Sequence, residues 1–209
     1  MICLFGGTFD PVHVGHIHGA IAVCDALALS DIHLVLSARP SHRDPTSASV
    51  TDRWRMLCLA CEVDPRLVAD DCEMRRQRPS YTVETLTEFR AQSGDGALYW
   101  VIGSDAFADI TSWYRWREVL ELCNLVVLQR PGHADSPPEV QRLIDRCASD
   151  VPPRARNGRV FFLPDAMPGV SASDIRRKLS LGEDAGHLLN PQVATYIIQQ
   201  GLYGVTREG

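Results

Sequence analysis

Two histidines three positions apart, His13 and His16, close a glycine-led stretch that reads Gly6-Gly7-Thr8-Phe9-Asp10-Pro11-Val12-His13-Val14-Gly15-His16. Glycines carry no Cβ, so their backbone N–H groups can come close to an anion. A helix starting just beyond adds unpaired N–H groups and a partial positive charge, which suits phosphate. A spacing of three at a helix entry can turn both imidazoles toward one space. The same pair could instead cap the helix, or bind zinc with a third ligand such as His18, His33 or His42. Neither GxxxxGK[ST] nor GxGxxG occurs here, which excludes the two commonest nucleotide loops.

A second cluster lies near the other end of the chain, Val170-Ser171-Ala172-Ser173-Asp174-Ile175-Arg176-Arg177-Lys178. Ser171 and Asp174 have capping-box spacing, with Asp where Glu or Gln is usual. Three cations follow within two turns. Cations near a helix N-terminus oppose its dipole by roughly 0.3–1 kcal/mol each, and a bound polyphosphate would offset that. Arg176, closest to the cap, is placed on a ligand, and Arg177 and Lys178 are expected to point to water. Three smaller candidates are a strand running into Gly103-Ser104-Asp105, the basic pair His42-Arg43, and the aromatic run Trp113-Tyr114-Arg115-Trp116. Aromatic faces stack on planar heterocycles, and they also fill cores. Cys58 and Cys61 form a CxxC inside a helical pattern, with no second pair at zinc spacing, and read as core.

The elements that must position these residues follow from periodicity. Short apolar runs at 2–5, 32–36, 66–72, 97–102, 124–128 and 160–163 read as strands. Apolar residues at helical spacing mark 16–29, 52–63, 82–91, 138–148, 173–181 and 191–200, with Trp54, Leu57, Cys58 and Cys61 expected on one side of the second helix. The alternation predicts an α/β fold, a Rossmann-like doubly wound parallel sheet with a small C-terminal helical portion. Ligands of such sheets bind beyond the carboxyl ends of strands, which is where the glycine-led stretch, the 39–49 loop and Gly103 fall. One domain is expected over 1–209, with a sheet core at 1–165 and a helical portion at 166–209 carrying the S-x-S-x-x-R pattern.

The 209 residues are 45% hydrophobic and 22% charged, ordinary for a globular chain that needs no staples. A net charge of −5 disfavours a nucleic-acid polymer as partner, while a small phosphorylated ligand needs only a local basic cluster. Nothing approaches 18 consecutive apolar residues, and the first residues lack a charged n-region, so neither a membrane span nor a signal peptide is expected. With seven scattered cysteines, a cytoplasmic setting is expected.

GGTFDPVHVGH resembles the (H/T)xGH signature of the nucleotidyltransferase superfamily, and VSASDIR resembles its second signature, I-S-S-T-x-I-R. Further stretches narrow the likeness. They are Pro79-Ser80-Tyr81-Thr82, Thr85-Leu86, Ile102-Gly103-Ser104-Asp105, Trp113-Tyr114, Arg130-Pro131-Gly132 and Gln199-Gln200-Gly201-Leu202-Tyr203. From Cys3 to Tyr203 the chain resembles the bacterial nicotinate-nucleotide adenylyltransferases. The resemblance implies transfer of AMP from ATP to nicotinate mononucleotide in NAD biosynthesis. Mg²⁺ would be carried mainly on the ATP phosphates, with no metal held by the protein. It implies that His13, His16 and Arg176 are catalytic. ATP would also meet Gly6, Gly7, Thr8, Phe9, Gly103, Asp105, Ser171 and Ser173. The mononucleotide would meet His42, Arg43, Thr82, Asp105, Trp113, Tyr114 and Arg130, with Trp113 stacked on the pyridine and Thr82 and the Tyr114 backbone at its carboxylate. Two departures stand out: Pro40-Ser41-His42-Arg43 where the family commonly has Pro-Pro-His-Lys, and Ser173 where Thr is frequent. The alternatives are a related transferase acting on nicotinamide mononucleotide or another phosphorylated acceptor such as phosphopantetheine, and a non-catalytic dinucleotide sensor.

Overall fold

Side chains along the central strands alternate between two buried clusters, so both faces of the sheet must be covered. A computed structural model describes residues 1–40, 45–129, 137–164, 166 and 169–206. Strands β1 (Ile2–Gly7), β2 (Ile32–Leu36), β3 (Leu67–Asp70), β4 (Leu98–Gly103), β5 (Asn124–Leu128), β6 (Ala148–Ser149) and β7 (Val160–Leu163) form one sheet in the order β3-β2-β1-β4-β5-β7-β6. All its pairings are parallel. Cys3, Phe5, Leu34, Tyr99, Val101 and Val126 face helices α1 (Val14–Leu27), α2 (Val50–Cys61), α7 (Ala172–Ser180) and α8 (Pro191–Gln200). Leu4, Val35, Leu98, Trp100, Ile102 and Leu125 face α3 (Thr82–Ser93), α4 (Ser104–Ala108), α5 (Trp116–Leu122) and α6 (Pro138–Cys147). Such a sheet, buried on both sides, needs near-continuous apolar strands, as β4 and β5 have. Ile175, Val193 and Ile197 of the C-terminal helices join the α1–α2 core.

From β1 the chain winds outward through β2 to β3, then returns to lay β4 against the other side of β1 and winds away through β5. The crevice beyond the ends of β1 and β4 is therefore the switch point where ligands of such sheets bind. Gly7 and Gly103 end the two strands there.

Several elements differ from the sequence reading. A seventh strand, β6, has two residues, too few to show a period. Helices α4 and α5, of five and seven residues, are likewise shorter than the two turns a helical pattern needs. The buried side of α2 is Arg53, Met56, Leu57, Ala60 and Cys61, whereas Trp54 and Cys58 are half-buried. No described helix is long and apolar enough to cross a membrane.

His33 on β2 sits on the α3 side of the sheet, edge-on to Phe89, with its Nδ1 2.9 Å from Asp70 Oδ2. The bond to Asp70 raises the His33 pKa although burial opposes it. Burial works against the Asp70 charge too, yet the bonds from His33 and the Cys72 N–H hold its carboxyl below the usual range. A raised histidine stabilises the fold fully below its unfolded value near 6.5, and that contribution is lost as pH rises through the folded value. The unfolding temperature of wild type is therefore expected to exceed that of His33→Ala by more at pH 5.5 than at pH 8.5. Melting curves at the two pH values check this, and a constant gap would refute it.

Candidate active site

Gly6 and Gly7 let the end of β1 pass where any other residue would collide. A Cβ on Gly6 would come within 2.2 Å of the Trp100 ring, and one on Gly7 within 2.7 Å of the Phe9 ring. Phe9 has a left-handed backbone (φ 48) as the chain turns toward α1. His13 caps that helix in an extended conformation and is 2% exposed. Its backbone N–H donates to His16 Nδ1 at 3.2 Å, the backward half of a capping box. An accepting Nδ1 leaves the ring proton of His16 on Nε2. The two imidazoles stack with centroids 3.7 Å apart, and Phe9 lies edge-on to His16 at 5.0 Å. The pair is both a helix cap and a wall of the cleft.

Helix α7 approaches the same cleft with its N-terminus. Ser171 Oγ accepts from the Asp174 N–H at 3.1 Å and donates to Asp174 Oδ2 at 2.8 Å, which makes the expected cap. Arg176 Nη1 donates to the Asp10 carbonyl at 2.7 Å, and Nη2 lies 3.4 Å from Ser173 Oγ. His13, His16, Ser171, Ser173 and Arg176 all line one cleft of about 580 Å³. Gly6, Gly7, Thr8, Phe9, Gly103 and Asp105 complete its floor and far side. Asp105 Oδ1 curls back over Gly103, where a Cβ would be 2.6 Å away.

A second cavity of about 250 Å³ adjoins the first, and Gly6, Gly7, Thr8, Gly103 and Ala106 line both. Thr82, Trp113 and Tyr114 line it, and the Tyr81 and Tyr114 rings lie 4.5 Å apart. Asp105, expected at both substrates, lines the larger cleft and not the smaller. His42, Arg43 and Arg130 lie outside the described residues. One expectation is corrected. Helix α7 has nine residues, so Arg177 and Lys178 fall in its last turn, where the dipole favours cations. There they pair with Glu183 at 3.9 and 3.4 Å rather than opposing the N-terminus or pointing only to water.

Three residues of this region escaped the sequence reading. Asp10, 6% exposed, accepts from the Ser47 and Ala48 N–H groups and the Tyr203 hydroxyl. Arg53, 1% exposed, donates to the carbonyls of Thr8 and Ser37, both at 2.8 Å, and of Ala38 at 3.1 Å. It thereby ties together the turns that leave β1 and β2. Burial lowers the Arg53 pKa, and Asp10 supports its charge. Glu73 is a buried carboxylate in the wall of the smaller cavity and takes the Thr85 hydroxyl at 2.6 Å. A signal for Arg53 was present: it stands at i to Met56, Leu57 and Ala60 at i+3, i+4 and i+7, on the apolar stripe of α2.

A doubly wound sheet whose switch-point cleft is walled by a histidine pair on one side and by the capped start of α7 with Arg176 on the other fits a nucleotidyltransferase. Residues 4–178 match the model of the cytidylyltransferase-like family. Relatives bearing the name "Probable nicotinate-nucleotide adenylyltransferase" include one from Pseudomonas fluorescens, 42% identical over 207 residues, covering 97% of this chain and 96% of its own. Another, from Chromobacterium violaceum, is 43% identical over 207 residues, covering 96% and 97%. The chain belongs to the nicotinate-nucleotide adenylyltransferases, within the cytidylyltransferase-like family. Its fold is also that of Plasmodium falciparum nicotinic acid mononucleotide adenylyltransferase complexed with NaAD, with a TM-score of 0.78, 19% identity and 98% of each chain covered.

Proposed function

We propose that this enzyme transfers the adenylyl group of ATP to nicotinate mononucleotide, forming nicotinate adenine dinucleotide and releasing pyrophosphate. The observation that carries the reading is the pair of adjoining cavities, one walled by imidazole and guanidinium groups, the other by aromatic rings, over a common floor of Gly6–Thr8 and Gly103. A triphosphate suits the first and a pyridine ring the second, so the acceptor phosphate meets the ATP α-phosphorus above the shared floor.

An oxygen of the mononucleotide phosphate attacks the α-phosphorus, and the bond to the bridging oxygen of the β-phosphate breaks. The attacking oxygen is already ionised at neutral pH, so no general base is needed, and alignment with charge stabilisation does the work. His13 and His16 donate to phosphate oxygens as charge develops on the leaving group. Arg176, Ser171, Ser173 and the N–H groups at the start of α7 hold the β- and γ-phosphates. Gly6, Gly7, Thr8 and Phe9 give backbone contacts, and Gly103 and Asp105 meet the ribose and phosphate region between the substrates. Among the described residues the polar side chains of the cleft are mostly hydrogen-bond donors, and the two Asp10 oxygens already take three hydrogen bonds. That donor set suits Mg²⁺ that would be carried on the ATP oxygens with water rather than in a protein cage. The ion would neutralise triphosphate charge.

Trp113 stacks on the pyridine, and Thr82 with the Tyr114 backbone receives its carboxylate. Thr82 opens α3, so the N–H groups and dipole of that helix favour an anion there. Donors aimed at a carboxylate lose affinity for a carboxamide, which supports the acid over nicotinamide mononucleotide. We read the chain as one cytoplasmic domain, in keeping with its free cysteines.

Mixing the protein and ATP with either mononucleotide and following pyrophosphate tests the reading. Turnover with the acid well above that with the amide is expected. No pyrophosphate with either would favour a sensor instead. Base–aromatic stacking is worth roughly 1–3 kcal/mol. Trp113→Ala should therefore raise the KM for the mononucleotide about tenfold while the ATP KM stays within about threefold. Equal losses would contradict the stacking assignment.

A further inference from the structure

The C-terminal Gln199–Tyr203 stretch lines neither cavity, yet its last residue reaches the phosphate cleft from behind. We propose that Tyr203 is a positioning residue for ATP, whose hydroxyl latches Asp10 so that the Asp10 main chain holds Arg176 at the triphosphate. The inference rests on the reading of Arg176 as a phosphate ligand.

Tyr203 Oη donates to Asp10 Oδ1 at 2.7 Å. The same oxygen accepts from the Ala48 N–H at 3.1 Å, and Oδ2 accepts from the Ser47 N–H at 2.7 Å. One buried carboxylate thus joins the turn after β1, the segment before α2 and the last described turn of the chain. The main-chain carbonyl of this same Asp10 receives Arg176 Nη1 at 2.7 Å. A displacement of Asp10 therefore moves the guanidinium and the histidine-bearing turn together. Burial and the nearby Asp10 charge push the Tyr203 pKa up, which keeps the hydroxyl a donor.

The backbone is committed to this contact. Tyr203 lies in the left-handed region (φ 57, ψ 28), which a residue with a bulky side chain adopts only when its surroundings hold it there. Gly204 (φ +84) passes so near α7 that a Cβ would stand 3.3 Å from Ser180 Cα. The turn therefore braces the end of the helix that carries Arg176 while its tyrosine braces Asp10. Tyr196 offers an internal comparison. It lies on α8 and its hydroxyl donates at 3.0 Å to Asp52 at the start of α2 rather than to Asp10.

The test compares Tyr203→Phe, Asp10→Asn and Tyr196→Phe by melting temperature, by the KM of each substrate, and by calorimetric affinity for a non-hydrolysable ATP analogue. Tyr203→Phe and Asp10→Asn are expected to weaken the analogue and raise the ATP KM about three- to tenfold, with the mononucleotide KM moving less than twofold. Tyr196→Phe is expected to lower the melting temperature with the ATP constants unchanged. The proposal is overturned if Tyr203→Phe leaves analogue affinity within twofold of wild type, if both substrates weaken equally, or if Tyr196→Phe behaves the same way. Should Tyr203→Phe not fold, Asp10→Asn decides on the same criteria. Analogue binding needs no acceptor, so it judges the latch even if wild type releases no pyrophosphate, a result that would sink the functional reading instead.

Discussion

His16→Ala is expected to lower kcat for adenylyl transfer by about 10²–10³-fold, with both KM values changed only a few-fold. The size follows from removing one pre-organised donor at developing charge, which costs roughly 2.7–4 kcal/mol in comparable sites. Pre-organisation is visible here. The imidazole is held at Nδ1 by the His13 N–H, stacked on the His13 ring at 3.7 Å and edged by Phe9 at 5.0 Å. A donor clamped on three sides has little left to reorganise when the transition state forms. Steady-state kinetics checks this, with circular dichroism to verify that α1 survives the loss of its cap partner. A fall of less than about tenfold, ~1.4 kcal/mol, would remove His16 from the chemical step.

Arg53→Met is expected to cost about 3–5 kcal/mol of stability, the range for removing one side of a buried charged network. Three carbonyls, of Thr8, Ser37 and Ala38, lose their donor together. Asp10, also buried, loses the cation that faces it. Against a total stability of 5–15 kcal/mol this is a large share. At about 2–4 °C per kcal/mol for a chain of this size, the melting temperature should drop by roughly 10 °C. Urea or thermal unfolding measures it. Arg53→Lys should recover only part of the loss, because a point-like ammonium cannot span three carbonyls as a planar fork does. A cost below about 1 kcal/mol would mean that the carbonyls find other donors and that the arginine does not clamp the turns.

Much of the frame was legible because it is written locally. β2, β5 and β7 are apolar runs with the ends that periodicity predicts, and α8 runs from Pro191 to Gln200 as expected, opened by Asn190 and closed by left-handed Gly201. The short elements between Ser104 and Leu122 were not legible, since five or seven residues carry no period. The arginine missed on the buried side of α2 has a different cause. An arginine on an apolar stripe looks like a solvated face until the carbonyls that receive it are located. The same holds for Arg177 and Lys178, whose relation to the helix dipole depends on where α7 ends.

What the sequence alone determined was where the candidate phosphate-binding groups stand and the order of the longer elements. Glycines at a strand end, histidines at a helix entry and a hydroxyl-capped basic helix are local chemical facts, complete within about ten residues each. Only the tertiary structure decided that Arg176 rests on the carbonyl of Asp10, 166 positions away, and that Tyr203 closes on the same residue from the chain's far end. The reason is physical. A buried carboxylate or guanidinium must find partners inside the protein, and which partners it finds depends on where the strand order reverses and which turns that reversal brings face to face.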